Sequence, residues 1–156
     1  MTVTIVSGGQ SGADRAALDV AVTLDLPYEG WCPPGGWAED LPSPPGLLAR
    51  YPLLRPTPDG PTSTRTRWNV RDSDAVLVLL VRGGAPSPGT LLTVEEAERL
   101  GRPVLVADVG EVTAVREWLA ALPRPLRLDV AGPRESEQPG LYDGAYRLLS
   151  SVLPTV

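Results

Sequence analysis

Seven consecutive apolar residues, 75–81 (AVLVLLV), lie between Asp72-Ser73-Asp74 and a glycine turn that opens at Arg82. A strand with one wet face alternates apolar and polar residues. An unbroken apolar run of this length suits a central parallel strand covered on both faces. Residues 3–7 (VTIVS) form a short apolar run closed by glycines, 103–107 (PVLVA) read as another buried strand, and 125–131 (PLRLDVA) as a further strand. Between these runs lie segments of helical period. Ala13, Ala16, Ala17, Val20, Ala21 and Leu24 recur at three- and four-residue spacing after the first run. Residues 62–71, the segment LLTVEEAERL closed by Gly101, residues 111–122 and residues 141–153 read the same way. Residues 27–31 suit one more short strand. Strand alternating with helix over short connections predicts a single doubly wound, mainly parallel α/β sheet with helices on both faces, Rossmann-like, formed by residues 1–156 as one domain.

One segment breaks the rhythm. Residues 32–61 are dense in proline and glycine and predict a long loop, and loops of this length in compact domains commonly serve as functional lids. At the first helix, Ser11 with Asp14 three residues on reads as a capping box, and Arg15 lies one turn before Asp19 as an ion-pair partner.

Composition narrows the chemistry. The chain has no His, no Lys and one Cys, Cys32, which reads as a buried small hydrophobe. It therefore lacks the lysine of a Walker A loop or a pyridoxal Schiff base, the imidazole of a Ser-His-Asp triad, and the ligands of a zinc or iron–sulfur site. A net charge of −5 argues against a nucleic-acid partner. The absence of a basic leader or an 18-residue apolar stretch argues against export and membrane insertion, which leaves the cytoplasm as the expected location.

In open α/β sheets, ligands bind beyond the carboxyl ends of the strands. Three glycine turns fall there: Ser7-Gly8-Gly9-Gln10-Ser11-Gly12, residues 82–90, and residues 132–140. The first two lead into helices whose unpaired amides and positive dipole end favour anions. The first turn lacks the leading glycine of a dinucleotide fingerprint, although Glu29 sits where a ribose-binding acid would fall. Arg65, Thr66 and Asn69 share a helix face and together supply a guanidinium, a hydroxyl and an amide, which suits a phosphate or a purine edge. Asp14, Arg15, Arg134 and Ser136 each read either as ligand contacts or as local structure.

The blocks SGGQSGADRAALD, GWCPPGGWAED, RTRWNVRDSDAVLVL, PGTLLTVEEA and VAGPRESEQPGLY occur in one order over nearly the whole chain. They resemble the signature blocks of the molybdenum carrier protein family, the circularly permuted YpsA branch of the SLOG superfamily. The resemblance implies a Rossmann-like fold, self-association into a homo-oligomer, and a pocket for a small phosphorylated ligand. That ligand would be nucleotide-like, or molybdenum cofactor, whose pterin bears a phosphate. Carried over by position, the ligand-binding residues are Gly8, Gly9, Gln10, Ser11 and Gly12, then Arg65, Thr66 and Asn69, then Gly89 and Thr90, and finally Gly132, Arg134 and Ser136.

Two departures matter. Pro34, Gly36 and Trp37 stand where the family often carries basic residues. Thr93 stands where related phosphoribohydrolases carry a catalytic Glu, and a hydroxyl cannot stabilise an oxocarbenium-like centre as a carboxylate does. The favoured reading is a binding or carrier protein. The alternatives are a nucleotide-processing hydrolase or transferase using Glu39, Asp40 or Glu95 as its acid, and a nucleotide sensor module.

Overall fold

The computed structural model describes residues 2–58 and 60–155; Met1, Asp59 and Val156, which the expected domain and the 32–61 segment include, lie outside the described residues. Its strands are β1 (Val3–Val6), β2 (Tyr28–Glu29), β3 (Trp31–Cys32), β4 (Arg55–Pro56), β5 (Ala75–Leu80), β6 (Val104–Asp108) and β7 (Leu126–Ala131). Its helices are α1 (Ala13–Thr23), α2 (Leu47–Arg50), α3 (Ser63–Arg71), α4 (Pro88–Arg99), α5 (Val112–Ala120) and α6 (Leu141–Val152).

The main sheet is parallel throughout, in the order β2-β1-β7-β5-β6. All six residues of β5 are buried, as their unbroken apolarity requires. Alternate residues of the central strands point to opposite faces. Ile5, Leu77, Leu79, Leu128 and Val130 join the core beneath α1, α5 and α6, whereas Val76 and Val78 pack with Val70 of α3 and Ala97 of α4. Helices therefore cover both faces, and the chain is an α/β, Rossmann-like fold. Among the described residues, no helix is long and apolar enough to cross a membrane.

Strand order explains why the glycine turns meet. The chain builds outward from β1 to β2, restarts at β5, builds outward again to β6, and returns with β7 into the gap between β1 and β5. The carboxyl ends of three adjacent strands thus deliver the three turns to one edge, where the direction of winding reverses.

The 32–61 segment is not a structureless loop. β3 pairs with β4, a 3-10 turn spans Pro34–Gly36, and Cys32, Ala38, Leu47, Tyr51 and Leu54 form a small core against Leu18 of α1. These five buried side chains, dispersed among prolines, lack helical or strand periodicity, but they converge once β3 and β4 pair. The capping box is also absent: Gly12 caps α1 with no side-chain hydrogen bond, and Ser11 is engaged elsewhere. Arg15 pairs not with Asp19 but with Asp40, through two hydrogen bonds of 2.8 and 2.9 Å. Asp19 instead accepts hydrogen bonds from the hydroxyls of Tyr51 and Tyr142.

Candidate functional site

The glycines of the first and third turns are contact points between main chains. A Cβ on Gly12 would lie 2.5 Å from the carbonyl oxygen of Pro133, and one on Gly132 would lie 2.5 Å from that of Leu79. Gly12 also adopts φ 90°, a left-handed conformation that side chains disfavour. Gly8 faces the Arg65 guanidinium, whose Nη1 would lie 2.5 Å from an added Cβ. Glycine at these positions lets β1, β7 and α3 close around one space.

That space contains two cavities. The smaller, of 260 Å³, is lined by Gln10 and Asp14 from the first turn and α1, Arg65 from α3, and Ser87, Gly89, Thr90 and Thr93 at the start of α4. Ala131, Gly132, Arg134 and Glu137 complete its wall. Ser87 caps α4, its hydroxyl accepting from the Thr90 amide at 3.3 Å. Leu91 donates to the Ser87 carbonyl, and Pro88 has no N–H to give. The Gly89 amide carries no hydrogen bond among the described residues and stands at the positive end of a 12-residue helix. Arg65 is half-buried, and its Nε is buried without a hydrogen-bond partner among the described residues.

Two acids set the electrostatics below Arg65. Asp14 is 5% exposed, and burial pushes its carboxyl up to about 6 against the pull of Arg65 and of main-chain hydrogen bonds from Gln10 and Gly132. Asp129 on β7 is 3% exposed and is raised well above the usual carboxylate range, by burial first and by the neighbouring Asp14 second. Arg65 is the cation that opposes both shifts.

The larger cavity, of 510 Å³, is lined by Ser11, Gly12, Arg15, Glu39, Asp40 and Ser136 together with Asp19, Arg50, Glu135 and Tyr142. Glu39 reaches across it to the third turn. Its Oε1 accepts from the Ser136 hydroxyl at 2.5 Å, and its Oε2 accepts from the Ser11 hydroxyl and, at 3.3 Å, from the Ser136 amide. These hydrogen bonds hold Glu39 below the usual carboxylate range. Arg15 donates from Nε to the Gly9 carbonyl at 3.0 Å and so ties the first turn to Asp40.

The residues singled out from the sequence thus divide. Gln10, Asp14, Arg65, Gly89, Thr90, Gly132 and Arg134 meet at the smaller cavity, and Ser11, Gly12, Arg15 and Ser136 at the larger. Gly8 and Gly9 pack behind them, Gly9 against Leu47 and Leu54. Thr66 and Asn69 line neither cavity. The Asn69 side chain instead pairs with both main-chain groups of Trp31, at 2.8 and 2.9 Å, and so docks β3 onto α3. Glu29 forms an ion pair with Arg127 at 2.5 Å. Of the three acids considered for catalysis, Glu39 and Asp40 are held low by their partners, and Glu95 is exposed on α4 away from both cavities. Asp129 escaped the sequence reading, Ser87 and Glu137 fall within the second and third glycine turns without being singled out there, and Thr93 enters that reading only as the replacement of a catalytic Glu. For Asp129 a signal existed: an acid inside an otherwise apolar strand pattern has to be buried.

A family model described as the circularly permutated YpsA SLOG family matches residues 5–153. The fold is also similar to the crystal structure of a protein named "putative molybdenum carrier protein" from Syntrophus aciditrophicus SB. The two share 34% identity and a TM-score of 0.84, over 97% of this chain and 95% of that one. Comparison with the curated proteins finds no match.

Proposed function

The chain belongs to the circularly permutated YpsA SLOG family, and from that premise we propose that it binds and carries a small phosphorylated ligand, either nucleotide-like or a phosphorylated pterin such as molybdenum cofactor. Arg65 carries the reading. A guanidinium with a buried, unpartnered Nε faces a cavity shared with a free helix-terminal amide, in a chain where acids outnumber arginines 19 to 14. A buried donor left without a partner is costly unless a ligand satisfies it, and arginine beside a helix N-terminus is a natural phosphate receptor. The hydroxyls of Thr90 and Thr93 line the same wall. The name of the similar solved protein speaks of carrying molybdenum, with which molybdenum cofactor as the cargo is in keeping. In this reading the chain acts as one ligand-binding domain that self-associates in the cytoplasm without nucleic-acid or membrane partners, in keeping with its acidic charge.

Titration of adenosine monophosphate and of inorganic phosphate tests the site. Arg65→Ala is expected to weaken each by about 1.5–3 kcal/mol, the range for a hydrogen bond to a charged group. Equal affinity in the variant would remove Arg65 from the binding surface and overturn the reading. Mass spectrometry of the denatured, purified protein would identify a retained pterin or nucleotide.

One observation favours a second reading, a nucleotide-processing enzyme. Asp14 and Asp129 are neighbouring buried acids with raised proton affinities, which is how proteins poise a general acid. Release of ribose phosphate from adenosine monophosphate, lost on Asp14→Asn, would establish it.

A further inference from the structure

Glu39 is bound as an external anion would be. Its two oxygens receive two hydroxyls, Ser11 and Ser136, and one main-chain amide, Ser136, while the Arg134 Nη1 stands 3.8 Å away. Ser11 is nine-tenths buried, and its oxygen is held in place by the Glu135 amide at 3.1 Å. The receptor is therefore built into the first and third turns, whereas the carboxylate comes from the segment that covers them. Hydroxyl, amide and guanidinium donors converging on two oxygens suit a phosphoryl group as well as a carboxylate. The 510 Å³ cavity opens directly onto this cradle. Asp40, the next residue, is anchored by its two-point pair with Arg15, so Glu39 can leave by rotating its side chain while the segment stays docked.

We propose that the cradle formed by Ser11, Ser136 and Arg134 is a second oxyanion subsite for a phosphoryl group, occupied in the free protein by the chain's own Glu39, which an incoming ligand displaces. The inference rests on the phosphorylated-ligand reading above and adds a competitor within the site. It assigns the ligand a second anionic group beyond the one facing Arg65, because the first and third turns contribute to both cavities. The apparent affinity of the free protein is then lowered by the fraction of molecules whose cradle is filled.

Inorganic phosphate is the probe, titrated by calorimetry in an Arg65→Ala background so that only the cradle is read. Glu39→Ala in that background is expected to bind phosphate at least about tenfold more tightly than Arg65→Ala alone, about the weight of one charge-assisted hydrogen bond. The gain should vanish when Ser136→Ala is added. Glu39→Gln, which keeps the side chain's length and removes its charge, should gain less but in the same direction. If Glu39 merely fastened its segment, its loss would loosen the cradle and affinity would stay level or fall. No gain in Glu39→Ala or Glu39→Gln, or a gain that survives Ser136→Ala, overturns the proposal. The Arg65 reading fails separately, when Arg65→Ala alone leaves phosphate and nucleotide binding unchanged.

Discussion

The Asp14 carboxylate is buried where the first and third turns meet. Amides of Gln10 and Gly132, from two different turns, are aimed at its carboxylate, yet burial lifts its proton affinity to about 6. Two consequences follow from the sign of that shift. A carboxyl raised from 3.8 to about 6 in the folded state favours folding while protonated, and that contribution is lost as pH rises through about 6. Asp14→Asn should therefore stabilise the protein by about 2–3 kcal/mol in urea unfolding near pH 7.5 and should change little near pH 4. Binding inherits the same sign, because an anion beside Asp14 meets less repulsion once Asp14 is protonated. Sulfate, whose charge is constant over this range, should bind more tightly as pH falls from about 8 to about 5, with a midpoint near 6. Asp14→Asn should bind sulfate tightly across that range. A flat pH profile in the parent protein would show that Asp14 does not face the anion. The sequence offers Asp14 either as a cap at a helix start or as a ligand contact. Which of two turns it would face depends on β7 inserting beside β1, and local sequence carries no trace of that insertion.

The element whose course was least legible is the stretch from β3 to β4. Its prolines and glycines announce a loop, and only tertiary pairing reveals a subunit with its own core. Besides the Arg15–Asp40 pair, Leu47 and Asn69 help hold it. Leu47 is fully buried and presses on Gly9 in the first turn, where an added Cβ would lie 2.9 Å from its Cδ1. Asn69 closes the edge of β3 by satisfying the N–H and C=O of Trp31. Leu47→Ala should cost about 2–5 kcal/mol, the range for large-to-small changes in a core, and should expose residues 41–54 to faster proteolysis than the main sheet. Asn69→Ala should cost about 1–3 kcal/mol, because both Trp31 main-chain groups lose their partner, and should speed hydrogen exchange at the Trp31 amide. By contrast, the elements of the main sheet were readable from periodicity alone. β5 carries an apolar run that suits a covered parallel strand, β7 alternates Leu126, Leu128 and Val130 with Arg127 and Asp129, and the turn after each is marked by glycine. Asn69 shows the limit of that reading. Helical spacing placed it beside Arg65, but one turn of helix rotates it toward an unpaired strand edge that exists only in the folded chain.

At the scale of the molecule, a ligand with phosphoryl charge approaches a protein whose net charge is −5. Attraction is confined to a few groups at the mouth of the turns, Arg65, Arg134 and the Gly89 amide, and these act over a distance comparable with one Debye length at physiological salt, about 8 Å. Beyond that distance the whole-molecule field is repulsive. Ionic strength then acts oppositely on approach and on residence. Added salt screens the long-range repulsion and speeds encounter, while contacts within the partly buried cavity are screened less. Stopped-flow association of adenosine monophosphate should therefore speed up by a factor of about 2–5 between roughly 10 and 150 mM salt, with a smaller change in dissociation rate. A basic funnel would give the reverse, with association slowing steeply as salt is added. Arg134→Ala should enlarge the acceleration, since removing a cation near the mouth leaves the repulsive field less opposed. Association that slows with salt in the parent protein would mean that ligand is steered by a positive surface outside these turns, and the site would then have to be sought there.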